Sequence, residues 1–354
     1  MQKKYWSLST LLLIISIISV AVSCKKHKYY RKDKGFENDV NFPALFVVNG
    51  KSNSLSIVNI SSNSVVETYN LKGAEYPHHI YLSPDKSMFA VAFTNTDLSG
   101  GHGGHGSNDE KKNMVQVFKT KTGEHVVNIF VEYTPHNAIF SPDGSELWIS
   151  QSTEEGKIIV VDTKKWKKKS TVTVGNMPSE LTFSSDGTKA YSANTNGNSV
   201  TIIDVSTKNV LTTVAVEEGP VGAWTASNGK MYVDNETSQS ISELDVATNS
   251  ITETIALGFK PGYVAYNSKT EELWVSDATN GKVVVFQKTS SQWTSVASIE
   301  TENDTHAICF SADNSIAYVT NQGANSVSII DVSNRTVSST ISVGEAPNGI
   351  IIVE

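Results

Sequence analysis

Cysteine is almost absent. The chain has two in 354 residues, Cys24 and Cys309. Cys24 closes an N-terminal apolar run, so the body that follows holds a single thiol and no internal disulfide. Paired cysteine ligands of the zinc-ribbon kind are excluded with it. The apolar run at 11–22 is too short for a bilayer span, which needs about 20 residues. No G-x-S-x-G, P-loop, dinucleotide-binding glycine pattern or H-E-x-x-H occurs, which removes the commonest sequence grounds for naming an enzyme. Positive charge is also scarce where it would matter. Eight of the 29 Lys and Arg but only three of the 36 Asp and Glu precede Ala44, leaving 21 positive and 33 negative side chains, a net of −12. A body that acidic repels phosphate backbones, so nucleic acid is not an expected partner; cations or a basic protein are better candidates.

The first 24 residues have the parts of an export signal: Lys3 and Lys4, the apolar stretch, and the small-residue run AVSC at 21–24. That run resembles the lipobox of bacterial lipoproteins, with Ala21 where Leu is usual, and the resemblance implies that Cys24 is acylated. The expected organisation is a signal peptide at 1–23, a lipid-anchored polar tether at 24–43 and a folded body at 44–354. Six of the ten residues after Cys24 are basic, and near anionic head groups each is worth about 1 kcal/mol. The expected location is the cell envelope, as an outer-membrane lipoprotein facing the periplasm or the cell surface, with the membrane as a partner through the anchor. The basic tether leans towards the periplasm.

The body is a repeat. An apolar strand runs into S-P-D-G or a relative of it at 80–86, 138–144, 181–187, 223–229, 264–270 and 308–314, and a last copy, IIIVE, ends the chain. Pro presets φ, Asp bonds back to the backbone and Gly ends the turn, so the motif is a type I turn in side chains. A strand with an aromatic at a fixed place follows in most units (Phe46, Trp148, Tyr191, Tyr232, Trp274, Tyr318, with Ala90 the exception), then an alternating strand such as VTIID at 200–204, then a Thr/Val-rich one. The 311 residues of the body give about 44 per unit, the period of propeller blades. The expected fold is all-β: a seven-bladed β-propeller with four antiparallel strands per blade. Residues 44–69 supply three strands without a first, and 347–354 a first strand alone. Together they make one blade, so N-terminal strands plus the C-terminal strand close the ring and leave no free edge. A monomer is expected.

AYVTN at 317–321, NSVSIID at 325–331 and SPDG, at this spacing, resemble the YVTN-type seven-bladed propeller repeat of surface-layer-like and YncE-like proteins. Similar propellers occur in nitrous-oxide reductase, amine dehydrogenase heavy chains and lactonases of the 6-phosphogluconolactonase type. The YVTN family carries no general catalytic residue set, and a shared fold does not carry an activity with it.

Function is therefore sought where the repeat is broken. The unit beginning at residue 77 has an insert about fifteen residues longer than its counterparts, TDLSGGHGGHGSNDEKKN, with His102 and His105. Aligning the units after the Pro that opens each innermost strand puts His78, His136 and His306 at one position, and Ser179, Val221, Gly262 and Asn348 in the others. His79 and Glu180 lie one step further on. These residues belong at the mouth of the central channel, on the face that also carries the insert. Imidazoles converging from several blades can hold a transition metal, Cu or Zn, and a His-rich loop can complete the site. The structural alternative is that polar residues at strand starts bond neighbouring loop backbone. Three functions follow: a non-catalytic, lipid-anchored scaffold binding a protein or small ligand through this face; a metal-binding propeller; and a lactonase-like hydrolase or oxidoreductase subunit. The last lacks any recognisable catalytic or cofactor-binding set, so the expectation leans away from an enzyme. Asp162, Asp204, Asp245 and Asp331 recur with the repeat and read as turn caps. Cys309 reads as a buried small residue, and Trp224 as inter-blade packing or channel lining.

Overall fold

The structure, a computed structural model, describes residues 35–98 and 113–354. These form 28 strands, β1 to β28 in chain order, grouped as seven four-stranded antiparallel sheets. Helix is limited, among the described residues, to one 3-10 turn at Thr195–Gly197. The fold is the expected seven-bladed propeller. Its innermost strands are β4 (Pro77–Leu82), β8 (Pro135–Phe140), β12 (Pro178–Phe183), β16 (Pro220–Thr225), β20 (Pro261–Asn267), β24 (Thr305–Phe310) and β28 (Pro347–Val353). They open blades one to seven in that order. The seventh blade has the order β28-β1-β2-β3, with β1 (Ala44–Asn49), β2 (Ser54–Asn59) and β3 (Ser64–Asn70) coming from the other end of the chain. Ile351 lies opposite Phe46 in that closure.

The repeat motifs have local physical causes. In the S-P-D-G turn of blade two, Ser141 Oγ donates to Asp143 Oδ1 at 2.6 Å, the Gly144 N–H closes the turn on Ser141 O at 2.8 Å, and Ser141 Oγ accepts from Glu146 N at 3.0 Å. The fourth turn position has positive φ in blades one, two, three and six, where Lys86, Gly144, Gly187 and Asn314 sit. That geometry suits Gly and Asn best. The Asn of the YVTN-like strand has an equally specific task. Asn321 is fully buried, and its Nδ2 donates to Ser326 and Ser328 at 3.0 and 2.9 Å, pinning the next strand. Asn49, Asn194 and Asn235 make the same pair of bonds in their blades. Blade one has Phe93 at this place, at the root of the insert.

The core is divided into slabs between blades. Successive residues of one strand face opposite neighbours. Ile202 packs with Ala223 and Met231 of blade four, whereas Ile203 packs with Trp148 and Ile158 of blade two. Ile329 and Ile330 divide likewise between blades seven and five. This is why the middle strands are apolar on both faces, while outer strands such as β3 alternate between exposed and half-buried. Buried glutamates staple some slabs. Glu243 of blade four accepts from Trp293 Nε1 at 2.7 Å and Lys288 Nζ at 2.9 Å, both from blade five. Glu146 of blade two meets Lys208 of blade three at 2.9 Å, and Glu272 of blade five meets Arg335 of blade six.

The end of the stretch read as polar tether joins the body. Phe36 and Val40 are buried, Phe36 packs edge-on against Phe46 and Tyr69, and the Phe36 and Val40 N–H groups bond Thr122 O and Lys121 O at 2.8 Å. Cys24 lies outside the described residues.

Candidate metal centre

Each innermost strand carries a bulge within the three positions after its first residue, where its pairing register slips. A bulge re-aims side chains that a regular strand would send to alternate faces. His78 and His79, His136 and Asn137, and Ser179 and Glu180 all lie in these bulges. The freed backbone is caught by hydroxyls of the second strand: Asn137 N bonds Ser150 Oγ at 3.2 Å, and Ala307 N bonds Thr320 Oγ1 at 2.9 Å.

The result is a buried cluster. His78, His79 and His136 each offer a nitrogen within 4.8 Å of the others, and all three are buried. The ring centroids lie 4.2 Å apart for His78 and His79, 4.9 Å for His78 and His136, and 5.3 Å for His79 and His136. Glu180, with no exposed surface, reaches in from blade three. Its Oε2 stands 3.2 Å from His79 Nε2 and 3.4 Å from His136 Nδ1. Its Oε1 accepts from Asn137 Nδ2 at 2.7 Å and from the Tyr81 hydroxyl. Asn137 is itself anchored, donating to Leu181 O at 2.8 Å. Burial, and the Glu180 charge after it, push the Tyr81 phenol well above its ordinary range, so it stays a neutral donor.

His306 stands outside the tight group, its ring 6.5 Å from that of His78 and 6.4 Å from that of His79. Aligned by position in the repeat, His306 belongs with His78 and His136, and His79 one step further on. The three residues that come together are His78, His79 and His136, because blades one and two are neighbours and blade six is two places away round the ring. His102 and His105 lie outside the described residues. The near end of their insert is described: Thr94, Asp97 and Leu98 line a small cavity together with His78 and Asn348, so the insert leaves the body beside the cluster.

Sequence reasoning missed Tyr81, Asn137 and Tyr263. Each was open to the same alignment: Asn137 and Tyr263 occupy the column of His79 and Glu180, and Tyr81 lies two residues beyond His79. Tyr263 stacks on Trp224 at 3.8 Å between centroids. Trp224 folds back over Gly222 to donate from Nε1 to Asp234 at 2.6 Å, and a Cβ on Gly222 would fall 2.1 Å from that nitrogen. Trp224 is thus a packing residue of the bore. Cys309, expected as a buried small residue, is half-buried and packs against the apolar core between blades six and seven, and burial of its sulfur raises its pKa. Asp162, Asp204, Asp245 and Asp331 cap turns as expected, each accepting backbone N–H groups from the residues that follow.

Two further cavities occur among the described residues. A cleft of about 520 Å³ between blades three, four and five is lined by Asn198, Glu218, Val221, Glu236 and Lys260, with Lys260 and Glu236 paired at 2.7 Å. Below the cluster a cavity of about 280 Å³ follows the strands of blades six, seven and one.

A family model for the YNCE-like beta-propeller matches residues 107–353. No curated protein matches the sequence. Solved structures of similar shape include the Pseudomonas aeruginosa periplasmic gluconolactonase PpgL, at 15% identity and a TM-score of 0.71, covering 88% of this chain and 99% of that one. Kuenenia stuttgartiensis hydrazine synthase is similar at 16% identity and a TM-score of 0.63, covering 78% and 95%. The dihydro-heme d1 dehydrogenase NirN, in complex with DHE, is similar at 12% and 0.62, covering 89% and 76%. At these identities the likeness is one of fold alone.

Proposed function

The chain belongs to the YNCE-like beta-propeller family, and we propose that it uses this scaffold to hold a transition-metal ion, Cu or Zn, at the mouth of the bore. The observation that carries the reading is the convergence of His78, His79 and His136, buried, with one nitrogen each within 4.8 Å of the others. Three imidazoles beside a carboxylate form a donor set suited to these ions. Glu180 adds the negative charge, and Asn137 and Tyr81 orient it as outer-shell partners orient metal-site ligands. The acidic body favours cation capture. On this reading the protein is a non-catalytic metal-binding module of the cell envelope, anchored through Cys24, with His102 and His105 of the adjoining insert able to relay the ion.

The test is metal titration of full-length protein purified without a histidine tag and stripped with chelator. The expected result is one equivalent of Zn²⁺ or Cu²⁺ bound at submicromolar Kd. It should be lost in a His78→Ala/His79→Ala/His136→Ala variant and kept in His125→Ala, a change in an outer strand. Binding at micromolar Kd or weaker, or binding that survives the triple substitution, would overturn the reading.

A further inference from the structure

The 280 Å³ cavity below the histidines differs from its surroundings in chemistry. Its lining mixes polar surface with apolar side chains, Leu82, Phe310, Ile351 and Ile352 among them, and these apolar residues are partly exposed, so the cavity opens to solvent. Its inner end is polar, formed by His79, Tyr81 and Tyr263. An apolar pocket with a few convergent polar groups is the usual form of a small-molecule site. A 150 Å³ apolar cavity holds benzene, so this one has room for a molecule of about ten to fifteen non-hydrogen atoms.

The two phenols are not equivalent. The Tyr81 proton is committed to Glu180. No group among the described residues hydrogen-bonds the Tyr263 hydroxyl, which senses only burial and the nearby Glu180, Cys309 and Asp234. Burial pushes its pKa far up, so it remains a donor. The half-buried Tyr263 side chain thus presents an uncommitted O–H at the cavity wall. Glu180 beside it disfavours an anionic acceptor. We infer that the lower bore is a binding site for a small, neutral, mainly apolar carbonyl compound whose oxygen accepts the Tyr263 hydrogen bond.

The inference does not rest on metal binding, and its test uses chelator-treated full-length protein so that the two can fail separately. The probes are acetophenone, ethylbenzene as the same shape without the acceptor, and benzoate as the anion. Saturation-transfer NMR and calorimetric titration should detect acetophenone, with benzoate at least tenfold weaker. Tyr263→Phe should weaken acetophenone by about fivefold, the worth of one neutral hydrogen bond, and leave ethylbenzene unchanged. Ala307→Leu, which fills the cavity, should weaken both. If Tyr263→Phe fails to fold, the carbonyl stretch of acetophenone bound to the unaltered protein decides: it should move to lower wavenumber than in hydrocarbon. Absence of acetophenone binding, equal effects of Tyr263→Phe on both probes, or a carbonyl stretch as in hydrocarbon would each overturn the inference.

Discussion

Glu180→Gln isolates the charge of the cluster from its shape. The substituted amide keeps an oxygen to accept from Asn137 and Tyr81, so the fold should tolerate it. An ion bonded at about 2.1 Å to His79 Nε2 or His136 Nδ1 lies within about 5.5 Å of Glu180 Oε2, given separations of 3.2 and 3.4 Å from those nitrogens. Two charges against one at that distance, with an effective dielectric of 20, attract by about 6 kcal/mol. Dehydrating the ion and dislodging imidazole protons offset most of this. Loss of a supporting carboxylate in metal sites typically leaves a 10–100-fold weaker affinity, or about 1.4–2.7 kcal/mol. The expected outcome is therefore a 10–100-fold rise in the Zn²⁺ Kd at constant stoichiometry, read by calorimetry, with an unchanged circular dichroism spectrum. A folded Glu180→Gln protein binding Zn²⁺ as tightly as its parent would refute the electrostatic role argued for this residue.

Three further outcomes concern the scaffold. Glu243→Ala should cost about 2–4 kcal/mol, because the indole N–H of buried Trp293 loses its acceptor while half-exposed Lys288 is re-solvated. At about 2.1 cal/mol/K per residue the melting temperature should drop by about 3–6 °C, and a loss under 1 °C would contradict the staple. Burial alone would raise the Glu243 carboxyl, but Trp293, Thr252 and Lys288 hold it below its ordinary value. Its stabilising effect is thus complete above the unfolded pKa near 4.5 and fades as pH falls below that, so the parent and Glu243→Ala melting curves should converge in acid. Asn321→Ala should cost about 1–3 kcal/mol by stranding buried Ser326 and Ser328, measured by denaturant unfolding; a neutral effect would count against the strand-pinning role. Asp143 and Asp313 are lowered to about 2, first of all by the Ser141 and Ser311 hydroxyls. Their contribution is present above pH 3.8 and lost as pH falls through about 2, so Asp143→Asn and Asp313→Asn should flatten the stability profile in that window. A slope identical to the parent would dismiss these turns as a source of acid sensitivity.

The amino-acid sequence determines the blades because their causes are local. S-P-D-G writes a turn, two-residue alternation writes a strand, and the YVTN-like Asn reaches only five and seven residues ahead to its hydroxyls. Even the closure of the ring is a count of strands at the two chain ends. The histidines were also legible, as a column of aligned positions. Which of them meet was not. An alignment column is a circle of seven places, and contact across it depends on neighbourhood round the ring and on the direction each bulge gives its side chains. Blade six shares the column with blades one and two, yet His306 stays 6.5 Å from His78 while His79, from the next column, closes on His136. Glu180 and Tyr263, from blades three and five, enter the same space only because the sheets face one axis. The sequence determined what each blade carries towards the bore; the packing of seven sheets about that axis decided which side chains touch.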